Sequence, residues 1–168
     1  MPSLNDMNFN KSVVYIYEHS KDGAMGFTIN KPLNVKLGVV LDHLGIPAAG
    51  SLVAEESVLM GGPVGQEHGF VLHDSKQKTD NETLNVSATK EVLVDILKSR
   101  GPNNYVVTLG YSGWEANQLE EEISNNDWLV VPYTKKILFD TPVERRWSEA
   151  ARILGIDINH LSNQVGHV

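Results

Sequence analysis

The residues with chemistry to offer form a short list. Glu18, His19, His68, His73 and Asp74 are the candidate metal ligands. His68 and His73 are five apart on one extended run, and strand side chains alternate faces, so a regular strand points them to opposite sides. Glu18 and His19 point apart for the same reason. No HExxH, facial-triad or EF-hand pattern is present, and no metal site is assigned. His19 with His73 is the one pair to follow. Gly61-Gly62-Pro63-Val64-Gly65 offers backbone N–H groups to an anion but lacks the lysine and hydroxyl of a phosphate loop, and Pro63 removes a donor. It reads as a tight turn in which glycine permits positive φ. Gly110-Tyr111-Ser112-Gly113-Trp114 approaches the G-x-S-x-G nucleophile elbow and fails at Trp114. Asp157 and His160 follow downstream. The plainer reading makes Ser112 a helix N-cap, with Glu115 completing a capping box.

These residues need elements to hold them. Val13 to Tyr17 reads as a buried strand. Gly23 to Gly26 forms the return, and Phe27 to Ile29 is the hairpin partner that Asn30-Lys31-Pro32 ends. Leu37, Val40, Leu41 and Leu44 recur at helical spacing, stopped by Gly45 and Pro47. Ser57 to Met60 and Phe70 to Leu72 are short strands, and residues 75 to 83 form a polar loop. Val92 to Leu97 marks a second helix, and Tyr105 to Leu109 a strong strand. Ser112 to Asn125 reads as a third helix, Trp128 to Val131 as a strand, and Ile137 to Phe139 as extended. In the last helix Thr141 is the N-cap, Pro142 sits at N1 and Glu144 completes the box. Its buried stripe contains Trp147, and Gly155 ends it. The tail beyond Gly166 reads as loose. Short strands in hairpin-like pairs between helices predict a single α+β domain.

Bulk properties narrow the function classes. With 168 residues, 41% of them hydrophobic, the chain can bury a core. It has no cysteine, which excludes disulfides, thiolate chemistry and iron–sulfur clusters. No apolar run approaches the ~20 residues of a membrane helix. The first six residues carry neither a basic nor an apolar leader region, which predicts a cytoplasmic protein. The net charge is −7, and basic residues occur only as scattered pairs, so direct DNA binding is disfavoured. Glu115, Glu120, Glu121 and Glu122 form an acidic helix face, read first as solvated and second as a protein-binding face. Trp114, Trp128 and Trp147 read as core anchors before ligand-stacking rings.

Ser12 to His19, Gly23-Ala24-Met25-Gly26 and Ile29-Asn30-Lys31-Pro32 resemble the opening signature of the AlgH/YqgE family of bacterial proteins. The resemblance continues through Gly61-Gly62-Pro63, Gly69 to His73, Leu109 to Trp114, Gln118-Leu119-Glu120, Trp128-Leu129 and Pro132. It closes with Leu138-Phe139, Thr141-Pro142, Arg146-Trp147, Ala150-Ala151 and Leu154-Gly155. It implies a compact α+β fold with a bifurcated, partly barrel-like sheet flanked by helices. It also implies a further apolar strand ahead of Met1-Pro2. Tyr17 stands where the family often has cysteine, and His68 where it often has arginine. The functional residues implied are Glu18, His19, Asn30, Lys31, Gly61, Gly62, His73, Tyr111 and Trp114. Taken together, the sequence predicts a non-catalytic binding or regulatory protein acting through a protein partner or a small anionic ligand, with no cofactor. The alternatives are a hydrolase or nucleotide-related enzyme with a site near His19, His73 and Ser112, and the transcriptional regulator that some family names suggest.

Overall fold

The computed structural model describes residues 10–74 and 84–156. Among these residues seven strands form one mixed, unclosed sheet: β1 Val14–Ser20, β2 Gly23–Thr28, β3 Pro32–Lys36, β4 Ser57–Met60, β5 Val64–His73, β6 Asn85–Ser87 and β7 Tyr105–Glu115. Four α-helices among the same residues flank it: α1 Leu37–His43, α2 Lys90–Leu97, α3 Gln118–Ser124 and α4 Arg146–Ile153. The expected single α+β domain is what forms.

The sheet forks around β7. Its C-terminal half pairs antiparallel with β2, from Ser112 opposite Gly26 to Glu115 opposite Gly23. Its N-terminal half pairs parallel with β4 and antiparallel with β5. The branches meet at Gly61, whose N–H donates to the Leu109 carbonyl while its own carbonyl accepts from Thr28 N–H. A Cβ on Gly61 would lie 2.2 Å from the Gly110 carbonyl oxygen, and one on Gly62 would lie 2.1 Å from the Tyr111 carbonyl carbon. Neither glycine has a positive φ. They are needed for backbone contact at the fork, which corrects the turn-geometry reading.

Several local expectations are corrected by pairing. The hairpin reverses at Lys21-Asp22, and Gly23 to Gly26 lies inside β2. Gly26 is glycine because Tyr15 O would sit 2.7 Å from its Cβ. The third helix begins at Gln118, after Asn117 at φ 65°. Residues Ser112 to Glu115 stay extended because β2 supplies their partners. Ser112 is therefore a buried strand residue whose hydroxyl donates to the Gly61 carbonyl at 3.4 Å, and it caps no helix. Trp128 to Val131 joins no strand ladder. Lys136–Asp140 forms a wide helical turn where an extended run was expected. Thr141 Oγ1 donates to the Lys136 carbonyl that closes this turn, so it serves as no cap for α4. A single 3₁₀ turn, Val143–Arg145, leads into α4 instead. Strands β3 and β6 escaped the sequence reading. The polar run 75 to 83, the tail beyond Gly166, and Asp157 and His160 lie outside the described residues.

Three apolar clusters result. Leu37, Leu41, Val58, Val71, Leu93, Ile96 and Val107 seal α1 and α2 onto the sheet. Phe27, Ile29, Leu72, Ile137, Leu138 and Ala150 join β2 and β5 to α4. Ala24, Trp114 and Leu119 form the third, with Val14, Ile16, Ile123 and Trp128 against them.

Candidate functional site

Most family-signature residues turn out to hold backbone. Asn30 Oδ1 accepts from Val13 N–H at 2.7 Å, and its Nδ2 donates to the Lys11 carbonyl at 2.8 Å. Lys31 Nζ donates to the Asn10 carbonyl at 2.6 Å. Together they clamp the segment that enters β1. Gly61 and Gly62 form the fork. Tyr111 stacks edge-on to Phe70 at 6.1 Å. Glu18 is exposed at an irregularity in β1.

The two watched histidines are not brought together. His19 pairs across β1–β2 with Ala24, and Ala24 pairs with Trp114; His73 pairs with Tyr105. Trp114 and Tyr105 are nine residues apart on β7, about 30 Å of extended chain. His73 is held by the Asp74 carbonyl at 2.8 Å and the Ser87 hydroxyl at 2.9 Å. His19 stands two strand spacings from β7, about 10 Å, and its Nε2 bonds Glu120 Oε1 at 2.6 Å. Neither is placed to serve as base for Ser112. Among the described residues no group of three His, Asp or Glu could hold a metal.

Side chains from several elements converge elsewhere, along β1. An apolar groove with a cavity of about 280 Å³ runs between Ser12 to Ile16, α3, the segment 128–134 and α4. Trp114, Trp128 and Trp147, all three tryptophans of the chain, line it with Tyr15 and Tyr133. Trp147 is thus a half-buried groove wall, where the sequence placed it in the core. Glu122 fixes one end: its Oε2 accepts from Trp114 Nε1 at 2.9 Å and from Trp128 Nε1 at 2.7 Å, and its Oε1 accepts from Gln118 Nε2 at 2.9 Å. At the other end Tyr133 meets Tyr15 edge-on at 5.1 Å. Glu120, in the first turn of α3, has its carboxyl pKa lowered first by a backbone N–H bond and then by His19.

Arg146 is the buried group the sequence did not single out. Only 6% exposed, it donates through Nε to the Thr141 carbonyl at 3.1 Å and through a guanidinium nitrogen to the Ile29 carbonyl. Burial pulls its pKa down, against the pull of Glu144. Arg146-Trp147 did stand among the signature pairs, but nothing in its spacing announced a buried cation.

A forked, unclosed sheet flanked by helices places the described residues among single-domain α+β proteins. The AlgH-like family profile matches residues 1–159, and the chain belongs to that family. A UPF0301 protein of Coxiella burnetii strain Dugway is 53% identical over 167 residues, covering 99% of this chain and 92% of that protein. One from Shewanella sp. strain ANA-3 is 43% identical over 175 residues, covering 99% and 94%. The solution structure of the AlgH protein from Pseudomonas aeruginosa matches with a TM-score of 0.80 at 40% identity, covering 100% of this chain and 92% of that one. A Corynebacterium diphtheriae protein, 21% identical, matches with a TM-score of 0.69 over 90% of this chain and 81% of that one, which is a likeness of fold alone.

Proposed function

We propose that this chain is a non-catalytic binding protein that acts through a protein partner seated on the aromatic groove. The observation that carries the reading is the convergence there of three tryptophans and two tyrosines from four separate parts of the fold. Trp and Tyr are favoured where a surface must be apolar and still hydrogen-bond. Exposed Leu129 and Val130 extend the apolar surface onto the groove's lip. A small anionic ligand has less support, because the Gly61 amide is engaged and the carboxylates of α3 border the groove. The hydrolase reading loses its geometry with His19, His73 and Ser112 dispersed. Direct DNA binding keeps only the weak support of family naming against a charge of −7.

The test is site-specific photo-crosslinking in cells. A crosslinker at Val130, 67% exposed beside the groove, should trap one recurring polypeptide. The same crosslinker at Val39, 49% exposed on α1, should not. The trapped protein, once purified, should shift the tryptophan emission of this chain. Identical patterns at the two positions, or a trapped protein that leaves the emission unmoved, would end the proposal.

A further inference from the structure

A histidine–serine pair lies away from the groove, where β5 meets β6. The two strands run antiparallel, with His73 opposite Asn85 and Val71 opposite Ser87. That register makes His73 and Ser87 diagonal neighbours on one face of the sheet. His73 Nε2 and Ser87 Oγ lie 2.9 Å apart, and His73 Nδ1 lies 2.8 Å from the Asp74 carbonyl oxygen. A carbonyl oxygen only accepts, so Nδ1 carries the ring hydrogen. In the neutral ring Nε2 then holds the free electron pair, and Ser87 is the donor to it.

The orienting carbonyl is itself fixed. Asp74 N–H donates to the Asn104 carbonyl at 3.1 Å, and the Asp74 carboxylate accepts from Asn104 N–H at 3.3 Å and from its Nδ2 at 2.8 Å. Nucleophile, base and orienting group therefore stand in hydrogen-bonded order. Ser112 differs at the decisive point, because it donates to a carbonyl, which takes up no proton.

The pair opens on a cavity of about 320 Å³ between the sheet and α2, lined also by Asp74, Val92, Asp95 and Pro102. None of the residues that line it lines the groove. Asp95 meets Arg100 at 3.2 Å, as Asp74 meets Asn104. Two carboxylates favour a positive charge on His73 and repel an anionic ligand. Val92 and Pro102 add apolar surface for a small uncharged one.

We propose that Ser87 is an activated nucleophile, with His73 as its base and Asp74 as the positioning residue, and that it accepts an acyl group from a small uncharged carboxylic ester. Ser87 Oγ bonds the acyl carbon as its proton passes to His73 Nε2. The bond from that carbon to the alcohol oxygen breaks, the electron pair leaves with the oxygen, and His73 returns the proton to it. An ester on Ser87, a free alcohol and a neutral His73 remain. This is one modification of the chain, not turnover, so it goes beyond the binding reading without replacing it.

The test incubates the full chain with p-nitrophenyl acetate and maps acetyl groups over time by peptide mass spectrometry. One acetyl per chain should appear at Ser87, with one equivalent of p-nitrophenol released. Exposed Ser57 and Ser99 in the same sample should react at least about a hundred-fold more slowly, the low end of what a placed base contributes. Ser87→Ala should remove the fast equivalent, and His73→Gln should slow it by a similar factor while Ser57 and Ser99 react as before. Melting curves check that both variants fold, and the comparison among serines of the unaltered chain decides the matter if they do not. Acetylation of Ser87 no faster than that of Ser57 and Ser99 would overturn the proposal. So would an unchanged rate at Ser87 in folded His73→Gln. Release that ran past one equivalent and required Ser87 would overturn the single-modification reading, and the non-catalytic reading of the chain with it.

Discussion

Under α1 and α2 the sheet meets aliphatic side chains closed off from water, whereas along β1 it meets aromatic rings around an open groove. Leu37, Leu41 and Val58 are fully buried in the first region. In the second, Trp114 is 8% exposed while Leu129 and Val130 stand at 45% and 67%. The same sheet serves both. What differs is the covering: α1 and α2 lay apolar side chains on the sheet, while segment 128–133 packs through Trp128, Val131 and Tyr133 and leaves Leu129 and Val130 exposed. Branched aliphatics fill a closed space in few rotamers. Indoles and phenols suit a surface that must stay partly wet, because each carries a polar handle. Here Glu122 takes two of those handles at once.

The sharpest way to break this comparison is to excavate both regions. Leu41→Ala should cost about 2–5 kcal/mol, the range for a large-to-small change in a closed core. Leu129→Ala in segment 128–133 should stay within about 0.5 kcal/mol, as surface changes do. Urea denaturation measures both. Similar midpoints for the two variants would mean that the groove side is as tightly closed as the helix side.

Arg146 tests how the groove floor is held. Its two backbone acceptors, Thr141 and Ile29, join the turn before α4 to the end of β2. Arg146→Met keeps much of the volume and strands two carbonyls, so it should cost about 1–3 kcal/mol. Arg146→Lys should recover less than half of that, because a single ammonium lacks the planar fork that reaches both oxygens. Full recovery by lysine would show that charge alone matters there.

How much of this was legible in the sequence follows from which forces acted locally. α1 and α2 could be read because helical spacing and glycine stops are local signals, and Gly155 at φ 70° ends α4 as its position implied. The cores of β1 and β7 could be read from their β-branched and aromatic runs. Ser112 could not, because Gly-flanked serine followed three residues later by glutamate is a local capping signal, and pairing with β2 overrode it. Thr141 failed for the same reason: its hydroxyl found the Lys136 carbonyl of a turn that no spacing rule predicted. Of the candidate site residues, Trp114 alone lines the groove. Tyr15, Trp128 and Trp147 come together only through the order of strands and helices, and that order is not written in any one segment.

The smallest expected effect concerns the contact between β1 and α3 beside the groove. His19 Nε2 and Glu120 Oε1 lie 2.6 Å apart, with both side chains half exposed. The Glu120 pKa is lowered in the folded chain, first by a backbone N–H at the start of α3 and then by His19. A carboxyl with a depressed folded pKa stabilises above its unfolded value, about 4.3, and the contribution fades as pH falls through the folded value. Glu120→Gln should therefore lower the melting temperature slightly near neutral pH and leave it unchanged in strong acid. Added salt should shrink the difference, since an exposed pair is screened. Because a backbone N–H bond is the first cause of that lowering, His19→Ala should preserve part of the acid-limb dependence that Glu120→Gln removes. Melting curves of the three proteins from neutral pH into acid decide it. If His19→Ala abolished the dependence as fully as Glu120→Gln, the bond between strand and helix would be the main support of the carboxylate, and this end of the groove would be held more firmly than its exposure implies.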